Sequence, residues 1–273
     1  MRVRYRGDRQ GEASSGAGPL RGTASRWAVV DGLRVHARVP TRPAPVGAPV
    51  VVLIHGLVVS SRYMVPTLLR LAADHRVYAP DLPGFGRSEK PSRALDVPGL
   101  ARALDGWMEA VGLGSAVFVG NSMGCQVIAE LAVRSPARVE RAVLQGPPME
   151  PGSRTLLRQV ARLALDCLRE PPSLILIEGL DLLAAGPMRS LRTFRHSADY
   201  PIEEKLPQLR APALVLHGAR DPIVPEGWAR EVAGLLPAGR LIVVPGAAHA
   251  MNYNAPSELA SQIRSFLGPG ARA

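Results

Sequence analysis

The sequence predicts an α/β fold, a mostly parallel central sheet with helices on both faces and a helical cap insertion. Three observations lead there. Short β-branched apolar runs alternate with segments of helical spacing. The runs are apolar at consecutive positions, as strands buried on both faces are. The alternation lapses between about residues 147 and 207 and then resumes.

Residues 1–25 are rich in Gly, Ser, Arg and Ala without periodicity and read as a flexible basic extension. From Trp27, WAVVDGLRVHARV holds two apolar-rich runs around Asp31-Gly32, a dipeptide suited to a two-residue hairpin turn. Val50–His55, bounded by Pro49 and Gly56, reads as a buried strand. A helix over Tyr63–Ala73, a strand over Arg76–Ala79 and a helix over Asp96–Val111 follow. Ala116–Gly120 is a strand, Ser122–Arg134 a helix and Val139–Gln145 a strand. In the insertion, Leu156–Leu168 and Leu174–Ala185 have helical character and are broken by Pro171-Pro172 and Gly186-Pro187. Ala213–Gly218 (strand), Trp228–Leu236 (helix), Leu241–Val244 (strand) and Ser257–Leu267 (helix) complete the pattern. One core, residues 26–146 and 208–273, is thus interrupted by a cap over 147–207.

Composition narrows the function classes. At 47% hydrophobic and 21% charged, the 273 residues suit a globular protein and exclude disorder throughout. Of the net charge of +10, +6 lies in residues 1–42, where nine arginines face three acids. The excess therefore sits at one end of the chain and not in a groove, and no nucleic-acid partner is expected. Apolar runs such as Val50–Ile54 and Leu174–Ile177 fall far short of the ~20 residues a membrane span needs. No apolar stretch follows MRVRYRGDRQ, so a secretory signal is not expected and the reading is cytoplasmic. Cys125 and Cys167 fit neither a disulfide framework nor a zinc site, and neither metal nor cofactor is expected.

The most specific chemical signal is Gly120-Asn121-Ser122-Met123-Gly124, which follows one predicted strand and opens one predicted helix. A tight strand-to-helix turn presents a hydroxyl at the carboxyl edge of the sheet, in front of the positive end of the helix. A serine hydroxyl needs a base to become a nucleophile. His249 is the best placed, in a small-residue loop after the last predicted strand. His36 and His75 are expected on the surface, His55 in a structural hydrogen bond, His217 packed at a strand end, and His196 within the insertion. An imidazole base needs an acceptor to fix its tautomer. Asp221 follows the preceding strand by a short loop, which brings it to the same edge as His249. The backbone N–H groups of Met123 and Leu57 are the expected oxyanion donors.

These segments, together with His55-Gly56-Leu57, Asp81-Leu82-Pro83-Gly84-Phe85-Gly86-Arg87-Ser88 and Gly218-Ala219-Arg220-Asp221, resemble the α/β-hydrolase superfamily and its cap-bearing serine hydrolase branch. The resemblance implies a triad of Ser122, Asp221 and His249, an oxyanion hole from Leu57 and Met123, and a structural role for Asp81. The expected activity is cofactor-independent hydrolysis of an ester, thioester, lactone or related acyl bond in a mostly apolar small molecule. Leu156, Leu163, Leu176, Met188 and Phe194 are the apolar candidates on the cap. GNSMG also resembles the elbow of carbon–carbon bond hydrolases, although Ala250 stands where those enzymes usually carry Trp. Carbon–carbon hydrolysis, or lyase or cyclase chemistry on the same scaffold, is therefore the alternative, with a ligand receptor third. Val58 and Val59 replace the small residue common after the oxyanion loop and imply a narrower wall.

Overall fold

A computed structural model describes residues 20–268. β1 (Thr23–Val30) and β2 (Leu33–Pro40) form the expected hairpin. Asp31 (φ 48°) and Gly32 (φ 82°) both occupy the left-handed region that a type I′ turn requires. β1 begins at Thr23, inside the segment read from sequence as an extension. Thr23 donates to the Leu20 carbonyl and accepts from Arg38 Nη1, which holds the strand's start in place. Residues 1–19 of that extension lie outside the described residues.

The chain continues through β3 (Val50–Ile54), α1 (Ser61–Leu71), β4 (Arg76–Pro80), α2 (Val97–Ala110), β5 (Ala116–Asn121), α3 (Met123–Arg134) and β6 (Val139–Gln145). Asp96 caps α2 by accepting from Gly99 N at 2.7 Å. Four helices fill the insertion: α4 (Leu156–Cys167), α5 (Pro172–Ala185), α6 (Pro187–Asp199) and the short α7 (Ile202–Lys205). β7 (Ala213–Gly218), α8 (Glu226–Leu235), β8 (Gly239–Val244), α9 (Met251–Asn254) and α10 (Pro256–Leu267) close the fold.

The strands form one sheet in the order β1-β2-β4-β3-β5-β6-β7-β8, antiparallel from β1 to β4 and parallel from there on. Consecutive residues of each central strand serve opposite faces. Val52, Ile54, Phe118 and Val215 pack under α2, α3 and α8, whereas Val51, Leu53, Val119 and Leu216 pack under α1 and α10. This double burial is why the strands read as unbroken apolar runs.

Strand order also positions the site. The chain leaves β3 towards α1 on one face and β5 towards α3 on the other, so a crevice opens between their carboxyl ends.

Two histidines expected on the surface are buried. His36 is fully enclosed, with Nδ1 2.7 Å from Asp81 Oδ2 and Nε2 3.0 Å from Ser25 Oγ. His75 is enclosed beside Asp74 at 2.9 Å. Asp81 takes the structural part expected of it, accepting from Ser61 N at 2.6 Å and Arg87 N at 2.9 Å. Burial pushes its carboxyl up, but the charge and hydrogen bond of His36 and the neighbouring donors outweigh that and hold it at about 2. A Cβ at Gly86 (φ 54°) would lie 2.4 Å from this carboxyl group, so the turn needs glycine.

Candidate active site

Ser122 stands between β5 and α3 at φ 53°, ψ −123°, a strained conformation for a residue with a side chain. The bend is possible because its flanks lack Cβ atoms. A Cβ on Gly124 would lie 2.5 Å from the Ile54 carbonyl oxygen, and one on Gly120 2.7 Å from Gly124 C. Gly56 presses on Ser122 itself, with a Cβ there 3.2 Å from Ser122 Cβ. The loop carrying Leu57 thus abuts the elbow carrying Met123. Among the described residues, neither backbone N–H donates to another group. Val58, next to Leu57, has φ 61°, a strained position for a β-branched residue and a further sign of backbone held under constraint here.

Asp221 and His249 meet at the other side of the crevice. Asp221 follows β7, its N–H donating to the Gly218 carbonyl at 2.9 Å. Its Oδ1 accepts from the amides of Ile223 (2.8 Å) and Val224 (3.0 Å), which leaves Oδ2 for His249 Nδ1 at 2.8 Å. The pair has room because residue 146 is glycine; a Cβ there would lie 3.0 Å from His249 Nδ1 and 3.2 Å from Asp221 Oδ2. The His249 carbonyl accepts from Asn121 Nδ2 (3.1 Å) and Gln145 Nε2 (2.9 Å), which ties its loop to the residue before Ser122. Among the described residues the Asp221–His249 contact is closed, while Ser122 and His249 share no hydrogen bond. Such bonds are often long before substrate arrives.

Electrostatics follow from this packing. Burial drives the Asp221 carboxyl up, but His249 and the two amides outweigh it, so the group ionises below the ordinary Asp range. Burial pulls His249 down. The charge and hydrogen bond of Asp221, joined by Asp166 and Glu170 from the insertion, overcome it and raise the imidazole to about 9.

His55 has the structural role expected: Nδ1–H donates to the Gly56 carbonyl at 2.8 Å and Nε2 accepts from Leu82 N at 2.9 Å. Sequence reasoning missed Gln145, Gly146 and Tyr63. The Tyr63 hydroxyl accepts from Gly56 N at 2.7 Å and donates to Asn121 Oδ1 at 2.8 Å, bridging the two halves of the crevice. A polar Gln directly after the apolar run Ala142–Leu144 and before Gly was the available signal.

In the insertion, Leu156, Leu163, Leu176 and Met188 are exposed and Phe194 is half-buried. Acidic residues of the insertion reach the core. Glu170 accepts from Ala250 N at 2.9 Å and from Asn254 Nδ2, and Asp181 accepts from Ser60 Oγ at 2.6 Å and from Arg62.

Relatives agree with this architecture. The chain is 31% identical over 230 residues, covering 73% of it and 79% of the relative, to a 2-hydroxy-6-oxo-6-phenylhexa-2,4-dienoate hydrolase of Burkholderia cepacia. It is 25% identical over 248 residues to carboxylesterase YbfK of Bacillus subtilis, covering 84% and 83% of the two chains. The crystal structure of the enol-lactonase from Burkholderia xenovorans superposes with a TM-score of 0.75 at 24% identity, covering 89% of this chain and 99% of that one. Residues 51–262 match the alpha/beta hydrolase family along most of their length, and with an eight-stranded sheet of the same build the chain belongs to that family.

Proposed function

We propose that the protein is a cofactor-independent serine hydrolase acting on an ester, thioester, lactone or related acyl bond of a small molecule. The observation that supports this most is the 2.8 Å Asp221–His249 contact at the sheet edge that also carries Ser122 on its strained turn. Ser122 Oγ attacks the carbonyl carbon and its proton passes to His249 Nε2. Asp221, held by two amides through Oδ1, keeps the other imidazole proton on Nδ1 and stabilises the cation. The N–H groups of Leu57 and Met123 receive the oxyanion. His249 returns its proton to the leaving group and then activates the water that releases the acid. The helices of 147–207 act as the cap over this crevice. The free thiols of Cys125 and Cys167 suit the reducing, cytoplasmic setting expected from the sequence.

A fluorophosphonate probe tests the reading directly. Mass spectrometry of the digested adduct is expected to find the label on Ser122; an unlabelled Ser122, or a label elsewhere at equal yield, counts against it.

The imidazole pKa adds a second test. His249 must be neutral to accept a proton, and a group raised to about 9 is mostly protonated at neutral pH. The kcat/KM for a neutral ester should therefore rise on the order of tenfold or more between pH 7 and pH 9. A profile already flat at pH 7 would show that the acids around His249 do not hold the base above neutrality.

Similarity to the dienoate hydrolase favours carbon–carbon hydrolysis as a second reading. Product analysis separates the two, since that reaction breaks a carbon–carbon bond where ester hydrolysis releases an alcohol.

A further inference from the structure

The insertion carries most of the large apolar side chains that face solvent. Among the described residues, twelve of the fifteen that are exposed lie between Leu156 and Met188, a concentration that marks an interaction surface. On α5, Ile175, Leu176, Gly179, Leu180, Leu182 and Leu183 recur at helical spacing and are all exposed. They take up about half of the helix surface, and no charge lies among them. α4 is amphipathic but docked by its polar side. Gln159 donates to the Ser153 carbonyl at 2.8 Å, Arg162 donates to the Ile223 carbonyl at 3.0 Å, and Asp166 is buried. Leu156, Leu157, Val160, Leu163 and Leu168 are left exposed. Both helices are tied to loops at the carboxyl edge of the sheet, α4 through Ile223 after β7 and α5 through Ser60 after β3, which donates to Asp181 at 2.6 Å. Their outer halves therefore turn away from that one edge.

We infer that this outer face of the insertion docks on a membrane rich in anionic lipid, lying on the bilayer without crossing it. Charge decides the partner. Between residues 151 and 198 the exposed charged side chains are Arg158, Arg169, Arg192 and Arg195. The acids of that stretch turn inward: Asp166, Glu170 and Asp181 are buried and Glu178 is half-buried, so the first exposed acid is Asp199. Past the end of α5 a pocket of about 280 Å³ opens, lined in part by Lys90, Ser92, Met188, Arg189 and Arg192, and none of its lining residues is acidic. Arg189 Nη1 has no hydrogen-bond partner. The leucines enter the acyl boundary while the cations beside them meet lipid phosphates. A second copy of the chain fits less well. In a two-fold pair the face meets itself, and its arginines would find no acid opposite them. The inference stands apart from the hydrolase reading, because docking is measured without turnover.

Co-sedimentation of the full chain with vesicles tests the surface, using phosphatidylcholine alone and an equal mixture of phosphatidylcholine and phosphatidylglycerol. Binding to the mixed vesicles is expected to be at least about tenfold tighter, as several cations near an anionic surface require, and to weaken as salt rises. Leu157 and Leu183 are 82% and 78% exposed, so L157E/L183E should keep the parent melting temperature. It should nevertheless lose at least about tenfold in affinity for the mixed vesicles, since two charges then face the acyl boundary. K90E/R192E should bring the preference for the mixed vesicles down to about threefold or less. Absence of binding to either vesicle, or a preference that survives K90E/R192E, overturns the proposal. Binding undiminished in L157E/L183E also overturns it and assigns the attraction to the arginines of residues 1–42. Dimers in ultracentrifugation that L157E/L183E abolishes, without vesicle binding, give the face to a second copy and overturn it as well. If L157E/L183E melts early, L168E/L176E repeats the test at positions 83% and 64% exposed.

Discussion

Replacing Ser122 with alanine is expected to lower kcat for a small aryl ester by about 10⁴-fold or more, with the fold intact. The size follows from the chemistry. Without the hydroxyl, His249 has only water to activate, and what remains is the contribution of the oxyanion donors and of binding. The fold should survive because the Ser122 side chain makes no capping bond and the turn is held by backbone contacts. Ser122 N donates to the Gln145 carbonyl at 3.0 Å and Cys125 N to the Ser122 carbonyl at 2.8 Å, and neither bond involves the side chain. Steady-state kinetics beside a thermal melt decide the matter. Turnover within tenfold of the parent protein, at equal melting temperature, would remove Ser122 from the mechanism.

Much of this site was legible because each of its parts is set by local sequence at a strand end. The glycines at 120 and 124 announce a turn that excludes Cβ atoms, and the structure shows what they avoid: backbone of β3 and of the turn itself. Asp31-Gly32 was legible for the same reason, since two consecutive left-handed residues are a local demand. Burial of His36 was not legible. Its partner Asp81 is 45 residues away in the sequence, and nothing next to His36 signals the pairing. The insertion was less legible. Helical spacing tells which residues of α4 share a face but not which way that face turns, and here the leucines are exposed while Asp166 is buried. The useful signal was the lone acid in VARLALDCL, a residue type rarely fully buried.

Asp221→Asn should cost about 10⁴-fold in kcat while leaving the local geometry nearly unchanged, and the hydrogen bonds on this side chain say why. The amides of Ile223 and Val224 both donate to Oδ1, so an asparagine must turn its carbonyl oxygen towards them. Its NH₂ group then points at His249 Nδ1, a nitrogen that in the parent protein donates to Oδ2 at 2.8 Å. A donor facing a donor is resolved by moving the imidazole proton to Nε2, the nitrogen that must be empty to receive the Ser122 proton. The substitution thus holds the base in the wrong tautomer and also withdraws the charge that steadies its cation. It therefore carries a second signature that mere loosening of the loop would not produce. Of the groups that raise His249, Asp221 contributes most, so the residual activity of the variant should reach its plateau at lower pH than that of the parent. Kinetics from pH 6 to pH 10 measure both effects. A variant that keeps more than a tenth of the parent kcat with an unshifted profile would mean that another acid orients His249. Asp166 and Glu170, the other carboxylates that raise this imidazole, would then be the groups to replace next.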